Sequence, residues 1–234
     1  MRRAFVAAAL ALLLVAGMAA VARSGAFALR RLTVSGPGSA FVTARALGVG
    51  ARTSLLLLST PAVAARAVAA DPWARAARVR VVLPHTLEIA LVPRVPVALV
   101  AGGGVVWAVT AAGMVLPATA AERLSLPYVT GVAAPLRAMV EDREPTLLAA
   151  LAVARALPPS ARPEVSEVHA LRGGQAFELV LMDGRPVLLG PATDLGAKLG
   201  LLPALLARYP WPEYAGTGFD LRDPQRPALY SIGR

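Results

Sequence analysis

"RVRVVLPHTLEIALVPRVPVAL", Arg78 to Leu99, is the stretch that decides the fold. Apolar residues take every second position on both sides of a Pro84-His85-Thr86 break: Val79, Val81 and Leu83 before it, Leu87, Ile89 and Leu91 after it. Arg78, Arg80 and Glu88 occupy the alternate positions. Side chains of a strand point to opposite faces in turn, so the spacing predicts a hairpin with one buried face and one in water. Two strands alone are marginal, and the apolar face needs cover from elsewhere in the chain.

The preceding segment supplies it. Leu32 and Val34 alternate in "LRRLTVSG" before Gly36-Pro37-Gly38, which predicts a strand closed by a turn. In "FVTARALGVG", Thr43 is placed to cap a short helix that Gly48 and Gly50 end. A second helix follows, with Ser59 or Thr60 as N-cap, Pro61 in its first turn and Asp71-Pro72 at its stop. Residues 29–93 therefore read as a β-α-α-β-β unit.

Residues 94–234 read as a second α+β unit with a mainly antiparallel sheet. Gly102-Gly103-Gly104 and Ala112-Gly113 mark hairpin turns, and Asp183-Gly184 is the strongest turn signal of the chain. "EPTLLAALAVARALPP" predicts a helix capped near Pro145, with Leu147, Leu151 and Ala154 in a stripe. In "ATDLGAKLGLLPALLARY", Leu195, Leu199, Leu202 and Leu206 fall on one face of a single helix, with Pro203 as the point of a kink.

At the other end, residues 1–4 form a short basic leader and Phe5 to Ala22 run without a charge. As a helix this run is about 27 Å long, enough for a thin bilayer core. Met1-Arg2-Arg3 would stay in the cytoplasm and the rest of the chain would lie outside. Ala20-Val21-Ala22 has the small-x-small form of a signal-peptidase site, but the run is longer than the apolar core of a signal peptide, so an uncleaved span is expected, with a cleaved signal as its alternative. The formal net charge of +10 is graded along the chain, with Arg2, Arg3, Arg23, Arg30 and Arg31 flanking the apolar run. Basic residues beside an anionic membrane surface fit that gradient. Nucleic-acid binding does not, because the arginines are scattered with no aromatic residues interleaved for stacking.

Chemistry is sparse. The chain has no cysteine and two histidines, His85 and His169, in no ligand-spaced pair, so neither a metal nor any cofactor is expected. No G-x-S-x-G elbow occurs. "GPATDLGAKLG" lacks the Gly-Lys-Ser/Thr of a phosphate loop, and the acids of "EDRE", Glu141 to Glu144, read as a solvated helix start. No catalytic residue and no small-molecule substrate are expected, which leaves binding. The last segment, Arg226-Pro227-Ala228-Leu229-Tyr230-Ser231-Ile232, alternates weakly and would form a sheet edge able to accept a strand from another protein.

Several pieces, in order, resemble the FtsQ/DivIB family of bacterial division proteins. They are Val34-Ser35-Gly36, Asp71-Pro72-Trp73, Leu83-Pro84-His85-Thr86-Leu87-Glu88-Ile89, Arg94-Val95-Pro96-Val97-Ala98, Val109-Thr110-Ala111-Ala112-Gly113, Leu126-Pro127-Tyr128-Val129-Thr130-Gly131, Leu188-Leu189-Gly190, Lys198-Leu199 and Asp220-Leu221-Arg222. The resemblance implies an N-terminal transmembrane helix over 5–22, a POTRA domain over 29–93 and a partner-binding β domain over 94–234. It further implies a single-span protein of the inner membrane at the division septum, with FtsB/DivIC and FtsL as partners at the end of the β domain and other divisome proteins at the POTRA domain. Arg222 matches a family position at that interface; its alternative is a surface ion pair with Asp220. The alternative function is a POTRA-bearing secretion or outer-membrane assembly component that chaperones polypeptides. An exported enzyme is the third class.

Overall fold

The computed structural model describes residues 2–36, 39–118, 125–133 and 136–232. The chain forms two compact units, Met1–Arg94 and Val95–Arg234, in a mixed α+β architecture.

The first unit contains helix α1 (Arg2–Arg23), strand β1 (Arg31–Ser35), helix α2 (Thr60–Ala70) and strands β2 (Ala74–Val82) and β3 (Thr86–Pro93). Among the described residues no helix is long and apolar enough to cross a membrane. The hairpin forms as its alternation requires: β2 and β3 are antiparallel with Val79 opposite Ile89, Val81 opposite Leu87 and Arg80 opposite Glu88. β1 lies parallel to β3 on its other side, which makes β3 the central strand. Leu87, Ile89 and Leu91 are buried with Val63 and Ala67 of α2 and with Leu47 and Leu55 of the connecting chain. Leu83, by contrast, is exposed at the hairpin bend.

The helix expected after Thr43 is a correction. The Ala46 N–H donates to Thr43 Oγ1 at 3.3 Å and the Leu47 N–H to the Thr43 carbonyl at 3.0 Å, and there the helix stops. Gly48 takes φ +63 with its α-carbon against the Arg66 guanidinium, so the chain turns after one cycle. Of the turn expected after β1, Pro37 and Gly38 lie outside the described residues, whereas Gly36 (φ +108) packs against the Leu91 carbonyl where any Cβ would collide.

The second unit holds a nine-stranded sheet in the order β12-β11-β10-β9-β8-β7-β4-β5-β6. Its strands are β4 (Pro96–Gly102), β5 (Val105–Thr110), β6 (Val115–Pro117), β7 (Tyr128–Thr130), β8 (Val165–Leu171), β9 (Ala176–Leu181), β10 (Pro186–Gly190), β11 (Thr217–Asp220) and β12 (Ala228–Ser231). Helix α3 (Pro145–Ala156) covers the sheet with Leu147, Leu151 and Ala154 buried, as their spacing requires. The single helix expected over 192–209 is instead two: α4 (Leu195–Gly200) and α5 (Leu202–Arg208). Pro203 lacks the N–H that would continue α4, so the axis breaks at Leu201 while Leu199 and Leu202 stay buried on either side.

Candidate functional site

The ends of the nine-stranded sheet differ. At β6 the outer backbone is engaged: Met139 N–H donates to the Val115 carbonyl at 2.9 Å, and Val115 N–H donates to the Val140 carbonyl at 3.1 Å. At the other end β12 pairs antiparallel with β11, Tyr230 opposite Gly218 and Leu229 opposite Phe219, and no strand among the described residues lies beyond it. The Ile232 N–H donates to the Gly216 carbonyl at 2.9 Å. Antiparallel ladders alternate, so Ala228, Tyr230 and Ile232 turn their backbone groups toward β11, while Leu229 and Ser231 turn theirs outward.

Each expected site residue has a definite place. Tyr230 lies flat on Gly218, whose missing side chain makes the room: a Cβ there would stand 2.6 Å from the ring. Burial, with Glu178 and Asp220 nearby, lifts the Tyr230 phenol above its ordinary value. Leu229 and Ile232 are each 37% exposed, so the strand offers apolar surface on both faces beside its outward backbone. Pro227 precedes the strand and has no N–H to offer. Arg226 donates its backbone N–H to the Asp223 carbonyl at 3.1 Å, within the turn that joins β11 to β12. Arg222 forms a fork on Asp220, Nε to Oδ1 at 2.9 Å and Nη2 to Oδ2 at 2.6 Å, its stem lying over Gly190. That hydrogen bonding holds the Asp220 carboxyl below its ordinary value. Arg222 thus makes the ion pair with Asp220, and its guanidinium remains at the surface.

Supports for this edge have no motif in the sequence. Arg185, 2% exposed, pairs with Asp183 at 2.8 Å, donates to the Tyr209 carbonyl at 2.7 Å and lies over the Phe219 ring of β11. Lys198 is equally buried and donates to the carbonyls of Leu189 and Pro191 at 2.9 and 3.0 Å. Its lysine belongs to the lookalike phosphate loop, but its charge is spent tying α4 to the end of β10.

The histidines take local roles. His85 Nδ1 lies 3.0 Å from the Ala28 carbonyl. On β8, His169 approaches Thr130 and Glu167. Among the described residues no three histidine, cysteine, aspartate or glutamate side chains are grouped to hold a metal.

Comparison with known proteins places this sheet in context. The family profile described as "Cell division protein FtsQ/DivIB, C-terminal" matches residues 98–222, from β4 to the Asp220–Arg222 fork. The chain is 32% identical over 213 residues to the "Cell division protein FtsQ" of Mycolicibacterium smegmatis (strain ATCC 700084 / mc(2)155). The alignment covers 86% of this chain and 56% of that relative, so the chain spans little more than half of the relative's length.

Proposed function

The chain belongs to the FtsQ/DivIB family of cell division proteins, and from that premise we propose that it is a non-enzymatic single-span scaffold of the divisome, linking early and late division proteins at the septum. In this reading the β edge of the second unit recruits FtsB/DivIC-type and FtsL-type single-span proteins. Residues 29–93 act as a POTRA domain that meets other divisome proteins. The observation that carries the reading is the outward backbone of Leu229 and Ser231 on β12, beside Leu229, Tyr230 and Ile232 and rimmed by Arg222 and Arg226. An extended segment added there continues the sheet, with main-chain hydrogen bonds for affinity and alternate side chains for selection.

Residues 5–22 serve as the anchor in the inner membrane, the N-terminus in the cytoplasm. The charge-free run from Phe5 to Ala22 and the flanking arginines support this.

A proline at Ser231 tests the edge. It removes an outward N–H while leaving the bonds to β11, a position proline tolerates on an edge strand. We expect Ser231→Pro to bind an FtsB/DivIC-type partner at least about tenfold more weakly in a pull-down titration, the scale of one to two lost hydrogen bonds. Its melting temperature should barely change. Wild-type binding by this variant, and by a Tyr230→Ala/Arg222→Ala double variant, removes β12 from the interface.

A further inference from the structure

Two adjoining concavities of the first unit have no role in the scaffold reading. The first is a cavity of about 350 Å³ whose lining includes Arg23, Arg52, Arg66, Thr53, Ser54 and Ser59. The second is an apolar groove of about 830 Å³ between the last turns of α1, with Leu14, Met18 and Val21, and the loop residues Leu56 and Leu57. Leu57 lines both.

Their position follows from backbone bonds. Ser54 Oγ donates to the Ala22 carbonyl, Leu55 N–H donates to the Phe27 carbonyl at 2.8 Å, and Leu29 N–H donates to the Thr53 carbonyl at 2.9 Å. The 52–58 loop is thereby held against the end of α1, at the level where the apolar run gives way to Arg23. There Leu56 and Leu57 stand 45% and 62% exposed next to a cluster of arginines. An exposed apolar pair beside cations suits a surface that offers both chemistries, apolar chains and anionic headgroups.

Charge points to one occupant. Residues 1–94 carry twelve arginines and two acidic residues, whereas residues 95–234 carry as many acids as bases. Neither acid of the first unit serves the cavity: Glu88 pairs with Arg80, and Asp71 accepts the Trp73 N–H. Arg66 donates one N–H to the Leu47 carbonyl at 2.7 Å, which orients its guanidinium. Arg23 and Arg52 make no side-chain hydrogen bond or ion pair among the described residues. Guanidinium groups take phosphate oxygens two at a time, and Thr53, Ser54 and Ser59 add hydroxyls beside them.

We propose that these concavities form one binding site for an anionic phospholipid of the surrounding bilayer, its phosphate among Arg23, Arg52 and Arg66 and an acyl chain in the groove between α1 and Leu56-Leu57. This rests on α1 being the anchor. The bound lipid fastens the first unit at the membrane surface and covers the exposed leucines.

The test uses the full chain in neutral detergent, with retained lipid counted by native mass spectrometry. Both lipids carry the phosphodiester, but the choline cation of phosphatidylcholine cancels its charge and would stand among the guanidinium groups, so phosphatidylglycerol should be retained about tenfold more. Arg23→Gln/Arg52→Gln should erase the preference without lowering the melting temperature, since neither side chain forms a hydrogen bond or ion pair among the described residues. Leu57→Ser should weaken retention of phosphatidylglycerol while the preference over phosphatidylcholine survives. Equal retention of the two lipids, or a double variant that behaves as wild type, overturns the site. Complete displacement of phosphatidylglycerol by millimolar inorganic phosphate makes it a free-anion site and overturns the lipid. Alkaline extraction of membranes separates the two readings: a chain released from the pellet defeats the anchor and the lipid site together, whereas a retained chain with no lipid preference defeats the site alone.

Discussion

Glu144 closes the start of α3 with its own carboxylate, accepting the Thr146 N–H at 3.0 Å and the Leu147 N–H at 2.5 Å. Partial burial pulls its pKa upward, but the backbone hydrogen bonds from Thr146 and Leu147, together with the Thr146 side chain, outweigh that and hold it below the ordinary 4.5. A carboxyl lowered on folding stabilises the fold above its unfolded value, and that stability is lost as pH falls through the folded one. Glu144→Ala should cost about 1 kcal/mol at neutral pH, the usual scale of an N-cap. In thermal melts the difference from wild type should be full above about pH 5 and should close as acid protonates the carboxylate, since the charged form is the better acceptor. A difference that persists unchanged to pH 2.5 would mean the cap works by packing and not by charge. The acids of "EDRE" mark where the helix starts but not which of them caps it, because four charged residues stand in a row and only the chain direction at Pro145 decides which one reaches the free N–H groups.

Among the elements, alternation carried the most information. Leu87, Ile89 and Leu91 are buried because a two-residue period leaves them no other face, and the same holds for Phe177, Leu179 and Leu181 on β9. Where local signals compete, the outcome belongs to packing. Thr43 and Gly48 mark a helix's start and stop, yet a single turn is all that fits between them once Gly48 meets Arg66. Strand order is non-local: nothing near Tyr128 or Thr217 announces that β7 lies parallel between β4 and β8, or that β11 lies parallel to β10. The terminal edge was open to reading as an alternating tail, but its support was not, since Gly218 matters only through the Tyr230 ring opposite it. That pairing makes a prediction. Gly218→Ala, ordinarily favourable in a strand, should lift the ring off β11, because the added Cβ and the ring cannot share 2.6 Å. Hydrogen exchange of Tyr230 and Ile232 amides should then speed up at least about tenfold while β9 and β10 keep their protection. Unchanged exchange at β12 would show that main-chain pairing alone holds the last strand.

Across the whole molecule the charge is divided as the two proposed tasks require. The net +10 belongs to residues 1–94, next to the helix proposed as anchor, and the unit bearing the β12 edge is neutral by count. At that edge the Arg222 charge is matched locally by its fork on Asp220. A partner strand docking there gains main-chain hydrogen bonds and apolar contact with Leu229 and Ile232, neither of which depends on ionic strength. Raising salt from about 0.1 M to 1 M shrinks the screening length from roughly 10 Å to 3 Å and suppresses long-range attraction. Affinity for an FtsB/DivIC-type partner should therefore change less than about threefold over that range, while retention of anionic over neutral vesicles by the first unit's arginines should fall by an order of magnitude or more. Titrations of the full chain at both salt concentrations read the two effects separately. A partner affinity that collapses with salt would place docking on the exposed guanidinium groups of Arg222 and Arg226, and the backbone of β12 would then serve only to carry them.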